Sequence, residues 1–234
     1  MDAPLRPATR TLAFGDGLIL AADDACVHLR HPWPLRTLSS ALVGAGPGWA
    51  CDFCNFHVDK GYAGEAPARD LAAWLAGRGI PARRTVAMMT AVPLSRLALE
   101  QAAAGHRRVL AAVTAGVGNA VDITAPAAGD PRLVIGTLNL QVFVDGHLTD
   151  GGLVNAALSA AEAKVRALAD AGVRDPQTGT PATGTSTDCL AIAVTQRGPA
   201  TPYAGSGTAL GRAIAAAVHG GILASLAAGG EGGP

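Results

Sequence analysis

Residues 149–172 read TDGGLVNAALSAAEAKVRALADAG. Leu153, Ala157, Ala161, Val165 and Leu168 recur at the spacing of one helical face, Thr149 or Asp150 can cap the first turn, and Gly172 stands where a helix ends. The pattern predicts a helix over 149–171. On a wheel of about 100° per residue, Lys164 falls at the edge of that apolar stripe and Glu162 nearer the opposite flank. An ammonium at such a border takes a carboxylate or carbonyl partner, unless its stem snorkels and carries the head into water. A second amphipathic helix is predicted over 208–226, with Leu210, Ile214, Val218 and Ile222 in register.

Upstream the periodicity changes. Two short apolar runs flank Asp23-Asp24 between residues 11 and 30, which predicts a hairpin. His31-Pro32-Trp33-Pro34 then reads as a connector, because two prolines fix φ and remove backbone donors. Residues 35–43, 49–58, 85–92, 109–115, 133–144 and 189–194 read as strands, the stretch 133–144 carrying Thr137 and Asn139 in its middle. Residues 68–76 read as a short helix stopped by Gly77 and Gly79, and 97–104 fits helix or strand. No repeat or linker divides these elements. The expectation is one α+β domain over 1–228, with a mixed, mostly antiparallel sheet or sheets covered by two long helices, and a disordered tail over 229–234.

Composition narrows the partners. The 234 residues are 49% hydrophobic and 15% charged, with 18 basic side chains against 18 acidic ones. That balance leaves no basic footprint for nucleic acid or an anionic membrane surface. Uninterrupted apolar runs such as Leu18 to Ala22 fall far below the roughly 18 residues that span a bilayer, so no membrane insertion is expected. Gly15, Asp16 and Gly17 interrupt any apolar stretch of secretory length, and a cytoplasmic location is expected. Cys51 and Cys54 form one C-x-x-C, whereas structural zinc sites usually combine two such pairs or a pair with histidines. With Trp49, Phe53 and Phe56 interleaved, the stretch reads as a buried strand carrying small apolar thiols, and no metal is assigned. Only Lys60 and Lys164 are lysines in a chain that otherwise uses arginine, which singles them out as places where a compact ammonium could matter.

Three segments offer chemistry. Thr183-Gly184-Thr185-Ser186-Thr187-Asp188 places four hydroxyls and a carboxylate in a glycine-containing loop that enters a strand. It could supply a nucleophile, orient a water or join an oxyanion site, or it could be a side-chain-capped turn. Thr114-Ala115-Gly116-Val117-Gly118-Asn119 is a strand exit with a permissive backbone, where Asn119 could donate to a carbonyl oxygen. Asn55, His57 and Tyr62 gather an amide, an imidazole and a phenol after a strand, although a lone histidine is more often structural. G-x-S-x-G, H-E-x-x-H and P-loop lysine motifs do not occur.

In one order along the chain, several short motifs resemble the adenosylcobinamide amidohydrolase family of corrinoid salvage. The carriers are Leu38-Ser39-Ser40-Ala41, the segment with Asn55, His57-Val58 and Tyr62, Met89-Thr90-Ala91, Thr114 through Ala120, Gly136-Thr137-Leu138-Asn139, Leu153-Val154-Asn155-Ala156, Glu162-Ala163-Lys164, Ala182 to Asp188, and Tyr203-Ala204-Gly205. Together they cover roughly 35–218. Two departures stand out. Phe56 separates Asn55 from His57 where the family pattern usually has Asn-His adjacent, and Thr185-Ser186-Thr187 stands where it commonly has Thr-Gly-Thr.

The resemblance implies hydrolysis of the amide that joins the corrin side chain to aminopropanol in adenosylcobinamide, releasing adenosylcobyric acid. The cobalt corrinoid is then the substrate and no separate cofactor is implied. Carried onto this chain, it implies catalytic roles among Lys164, Glu162, Thr183, Thr185, Asp188 and Asn119. It implies substrate contacts from Asn55, His57, Tyr62, Thr114, Gly116, Gly118, Asn139 and Tyr203. In that reading Lys164, restrained by Glu162 or Asp188, activates a Thr183 or Thr185 hydroxyl or a water, while Asn119 and loop amides hold the oxyanion. A corrinoid carrier, an acyl transferase and a self-processing threonine hydrolase are the rival readings, and a homo-oligomer is left open.

Overall fold

A nine-stranded mixed sheet forms the body of residues 8–126 and 137–230, which are the residues this computed structural model describes. The strands are β1 (Ala8–Leu12), β2 (Leu18–Ala22), β3 (Cys26–Ser39), β4 (Gly46–His57), β5 (Thr85–Thr90), β6 (Ala98–Ala104), β7 (Arg107–Ala115), β8 (Ala120–Val121), β9 (Leu138–Asp145), β10 (His147–Leu148), β11 (Gly184–Thr185), β12 (Cys189–Val194) and β13 (Ala200–Thr201). The helices are α1 (Pro67–Gly77), α2 (Asp150–Asp170) and α3 (Ala209–Ala228). The main sheet runs β1-β2-β3-β12-β9-β7-β6, with β4 beside β3 and β5 beside β4. Within it β9/β12 and β4/β5 are parallel and the remaining pairs antiparallel. The α+β expectation therefore holds, with the short α1 added to the two long helices. The ambiguous segment 97–104 is strand β6. Gly136 and the start of the strand expected from residue 133 lie outside the described residues, as do 231–234 of the expected tail.

The expected connector at His31-Pro32-Trp33-Pro34 lies inside β3 instead. Arg30 pairs with Asp52 and Leu35 with Ala50, so residues 31–34 oppose Cys51 alone. Prolines are tolerated there because a bulge asks for no ladder donor, and the bulge bends the strand. Before it β3 pairs with β2, and after it with β12. This corner curls the sheet and carries β4 and β5 across the face of β7 and β9. Phe53 of β4 accordingly meets Phe143 of β9 edge to face, with ring centroids 4.9 Å apart.

Alternation along β9 sorts its two faces. Leu138, Leu140, Val142 and Val144 join Val109, Val113, Ile192 and Val194 under the helices, against Leu153, Ala160 and Leu168 of α2 and Ile214, Val218 and Ile222 of α3. Each such Val, Leu or Ile side chain contributes on the order of 2 kcal/mol by leaving water. The opposite face packs Phe143, Leu110 and Ala112 against Phe53, Val86 and Met88 of the overlying strands. α1 seals the outside of β4 and β5 through Leu71 and Leu75 against Cys26, Cys54 and Phe56.

Thr149 caps α2, its hydroxyl accepting from the Gly152 amide at 3.1 Å. The buried stripe of α2 is Leu153, Ala156, Ala160, Ala163, Ala167 and Leu168, which keeps Leu153 and Leu168 of the expected face and shifts its middle. Ala161 and Val165 are exposed, as are Val154 and Leu158. The shift follows from where the sheet and α3 stand, since an alanine-rich helix carries small apolar residues on more than one face. α3 is long and apolar enough to cross a bilayer by length and composition. Its Leu210, Ile214, Val218, Ile222 and Leu226 are nevertheless buried within the domain.

Candidate functional site

The parallel strands β9 and β12 begin side by side at Asn139 and Cys189, and the loop that leads into β12 folds over that end. A cavity of about 540 Å³ opens there, lined by Leu42, Val58, Tyr62, Met89, Thr137 and Asp188, with Cys189 and Thr187 beside them. Apolar side chains from the ends of β3, β4 and β5 form most of the wall, with Thr137, Thr187 and Asp188 on the β9 and β12 side and Tyr62 and Thr90 after β4 and in β5 as the polar groups.

Asp188 is the hub of those polar groups. Its Oδ2 accepts from Lys164 Nζ at 2.5 Å and from the Thr185 amide at 3.1 Å. Its Oδ1 accepts from Thr185 Oγ1 at 2.5 Å and from the Leu138 amide at 3.2 Å. Four donors fill the capacity of a carboxylate. The pair is half-covered rather than sealed, with side-chain exposures of 19% for Lys164 and 16% for Asp188. Gly184 is what lets ammonium and carboxylate meet. A Cβ there would stand 2.6 Å from Asp188 Oδ2 and 2.7 Å from Lys164 Nζ.

Behind the hub runs a buried chain of side chains between the two sheet layers. Thr137 Oγ1 donates to the Thr187 carbonyl at 2.7 Å. Asn139 Nδ2 donates to Asn55 Oδ1 at 2.7 Å and to the Met89 carbonyl at 2.8 Å, and Asn55 Nδ2 donates to Thr114 Oγ1 at 2.9 Å. Buried amides cost free energy unless they find partners, and here each finds one in another member or in a strand-end carbonyl. The chain thereby ties the ends of β4, β5, β7 and β9 to the backbone that carries Asp188.

Several expected roles change on this geometry. Glu162 is exposed, and the partner of Lys164 is Asp188, because Lys164 points from α2 toward the 183–188 loop. The Thr183 hydroxyl accepts from the Ile123 amide at 3.0 Å and belongs to the β8–β11 ladder region, outside the Asp188 cluster. Asn55, Thr114 and Asn139 are buried and hydrogen-bonded to each other, and none of the three lines the cavity. Asn119 Nδ2 donates to Ser186 Oγ at 2.7 Å, which commits the amide expected to face an oxyanion. Gly116 stays close to Val92, where a Cβ would come within 2.7 Å of Val92 Cγ2, whereas Gly118 faces open space. Neither glycine, nor His57 at the end of β4, is among the cavity residues.

Tyr203 is 66% exposed and follows β13, which pairs with β10 beyond the far end of β9. Eight residues of β9 separate the two ends, about 25 Å of extended chain. Tyr62 does line the cavity. Lys60 is exposed on the surface.

Sequence reading missed Gly184 as the site's necessary gap, Cys189 as a wall and Gln141 as a neighbour of the polar chain. The signal for the last was present, since Thr137, Asn139 and Gln141 occupy every second position of an apolar strand. Burial and then the charge of Asp188 push the Cys189 thiol up to about 11, so it stays protonated near neutrality and is a wall rather than a nucleophile. Burial also raises Cys51, while the hydrogen bond that the Cys54 thiol donates to Cys26 leads the rise of Cys54. The C-x-x-C lies within β4 as expected. Among the described residues no group of three or more His, Cys, Asp or Glu is placed to hold a metal ion.

A hydroxyl bonded to a carboxylate that is held in turn by an ammonium thus lies beside an apolar cavity. The chain belongs to the adenosylcobinamide amidohydrolase family, whose model matches residues 16–232. An uncharacterized protein of Methanocaldococcus jannaschii, MJ1613, is 33% identical over 97 residues, which span 41% of this chain and 38% of that protein. The crystal structure of the PH0078 protein from Pyrococcus horikoshii aligns with 96% of this chain and 82% of its own, at 13% identity and a TM-score of 0.46.

Proposed function

We propose that the protein is a cytoplasmic hydrolase that cleaves the aminopropanol amide of adenosylcobinamide, releasing adenosylcobyric acid and aminopropanol. Family membership supports the substrate class, and the Thr185–Asp188–Lys164 relay is the observation that carries the chemistry. The Thr185 hydroxyl attacks the amide carbonyl while its proton passes to Asp188 Oδ1. Lys164 holds the carboxylate in place and offsets charge as it redistributes. Collapse of the tetrahedral intermediate breaks the C–N bond, and the leaving nitrogen takes the proton from Asp188. A water then hydrolyses the Thr185 ester, giving the corrinoid acid and restoring the hydroxyl.

One observation favours a second route. Asp188 lines the cavity, whereas Thr185 is 7% exposed and stands behind it. In that route water attacks directly, and Thr185 only orients the carboxylate. Incubation with adenosylcobinamide followed by mass spectrometry of corrinoid and aminopropanol tests the reaction. Intact corrinoid despite binding would turn the protein into a carrier. Thr185→Ala is expected to lower kcat at least about 10³-fold if the hydroxyl attacks, with an acyl-protein mass trapped by acid quench in the parent enzyme. A loss under tenfold with no trapped adduct would establish the water route.

A further inference from the structure

Tyr62 lines the same cavity as Asp188 and Thr137, and its hydrogen bonding fixes what it can recognise. Its hydroxyl donates to Asp70 Oδ2 at 2.5 Å. Asp70 sits in the first turn of α1, which Pro67 starts, so the acceptor is anchored to a rigid element. Gly64 leaves room for the phenol, since a Cβ there would come within 2.1 Å of its oxygen, and Gly64 also lines the cavity. The phenol oxygen therefore lies at the wall. Trp74 meets the ring edge to face at 6.3 Å, and Trp74 also packs on Phe56, which limits how far the ring can swing.

A phenol has one proton. With that proton given to Asp70, the oxygen can only accept from a cavity ligand. We propose that Tyr62, oriented by Asp70, is a specificity-determining residue that accepts a hydrogen bond from the hydroxyl of the amino alcohol released by the reaction. The inference rests on the amide-hydrolase reading above. An amino alcohol presents one donor two carbons from the amide nitrogen, among apolar carbons that suit Leu42, Val58 and Met89. The neutral phenol persists over the working range, because burial, then the bond and charge of Asp70, push Tyr62 up to about 12.

The test compares the natural aminopropanol amide with the propylamide of the same corrinoid, which lacks only the hydroxyl. The parent enzyme is expected to prefer the amino alcohol by about tenfold in kcat/KM, the worth of one good hydrogen bond. Tyr62→Phe should erase most of that preference by slowing the aminopropanol amide about tenfold more than the propylamide. Asp70→Asn, whose carbonyl still accepts the phenol proton, should keep the preference, and Asp70→Ala should reduce it. Equal loss on both amides in Tyr62→Phe, or no preference in the parent, overturns the proposal while leaving the hydrolase reading standing. Turnover of neither amide by the parent removes both.

Discussion

The two faces of β9 are built from neighbouring residues and serve different ends. Toward the helices, Leu138, Leu140, Val142 and Val144 form a dry surface in which every contact is dispersion and excluded water. Toward the overlying strands, Asn139 and Gln141 interrupt the apolar packing, and Asn139 joins a closed set of hydrogen bonds. A satisfied buried amide adds little net stability of its own, but a hydrocarbon at residue 139 alone would leave Asn55 Oδ1 and the Met89 carbonyl without their donor. The amide gives direction instead. It fixes where the ends of three other strands lie relative to the loop that carries Asp188.

That contrast can be broken from either side. Leu140→Ala should cost about 3 kcal/mol of unfolding free energy through lost burial and a residual cavity. Turnover per folded molecule should hardly change, as denaturant titration and active-site-normalised kinetics would reveal. A large drop in turnover would mean that the helix-facing side also sets the site. Asn139→Leu should do the reverse, lowering kcat by about tenfold to a hundredfold, the scale expected when positioning is lost. Its stability should fall by about 1–3 kcal/mol, because Asn55 Oδ1 and the Met89 carbonyl lose their donor. Failure to fold would show instead that the polar chain is chiefly structural.

Asp52 sharpens the comparison with a buried carboxylate remote from the cavity. Burial alone would raise it, but the His28 hydrogen bond and charge, then Arg84 and Arg30, outweigh burial and hold it below its usual 3.8. Its folded pKa is depressed, so its contribution to stability is complete above the unfolded value near 3.8 and fades as pH falls through the folded one. His28→Ala should therefore raise the midpoint of acid unfolding while leaving the pH profile of turnover in place. An unchanged acid midpoint would remove Asp52 as a stabilising group.

Much of this was legible along the chain. The caps and stops of α2 and α3 are local, since Thr149 and Thr208 each accept from an amide three residues on. The hairpin at Asp23 is equally local, with its carboxylate accepting from the Ala25 and Cys26 amides. Thr185 and Asp188 were read as candidates because they sit three residues apart in one loop. Asp70 was not legible, because nothing about an acid in a helix's first turn says that a tyrosine eight residues earlier will reach it. The middle of the α2 stripe is illegible for a related reason, since Ala160 and Ala161 are chemically alike and only the packed neighbours tell them apart.

The sequence by itself determined the helices, most of the long strands, the α+β class and the residues carrying a corrinoid-amidohydrolase resemblance, because propensity, periodicity and short motifs are local properties. Tertiary structure decided which of those residues act together. Lys164 and Asp188 are 24 positions apart and meet only because Gly184 leaves the gap. Asn55, Thr114 and Asn139 come together only because the β3 bulge folds one part of the sheet over the other. Such contacts depend on how a curled sheet closes on itself, and that is a property of all its strands at once.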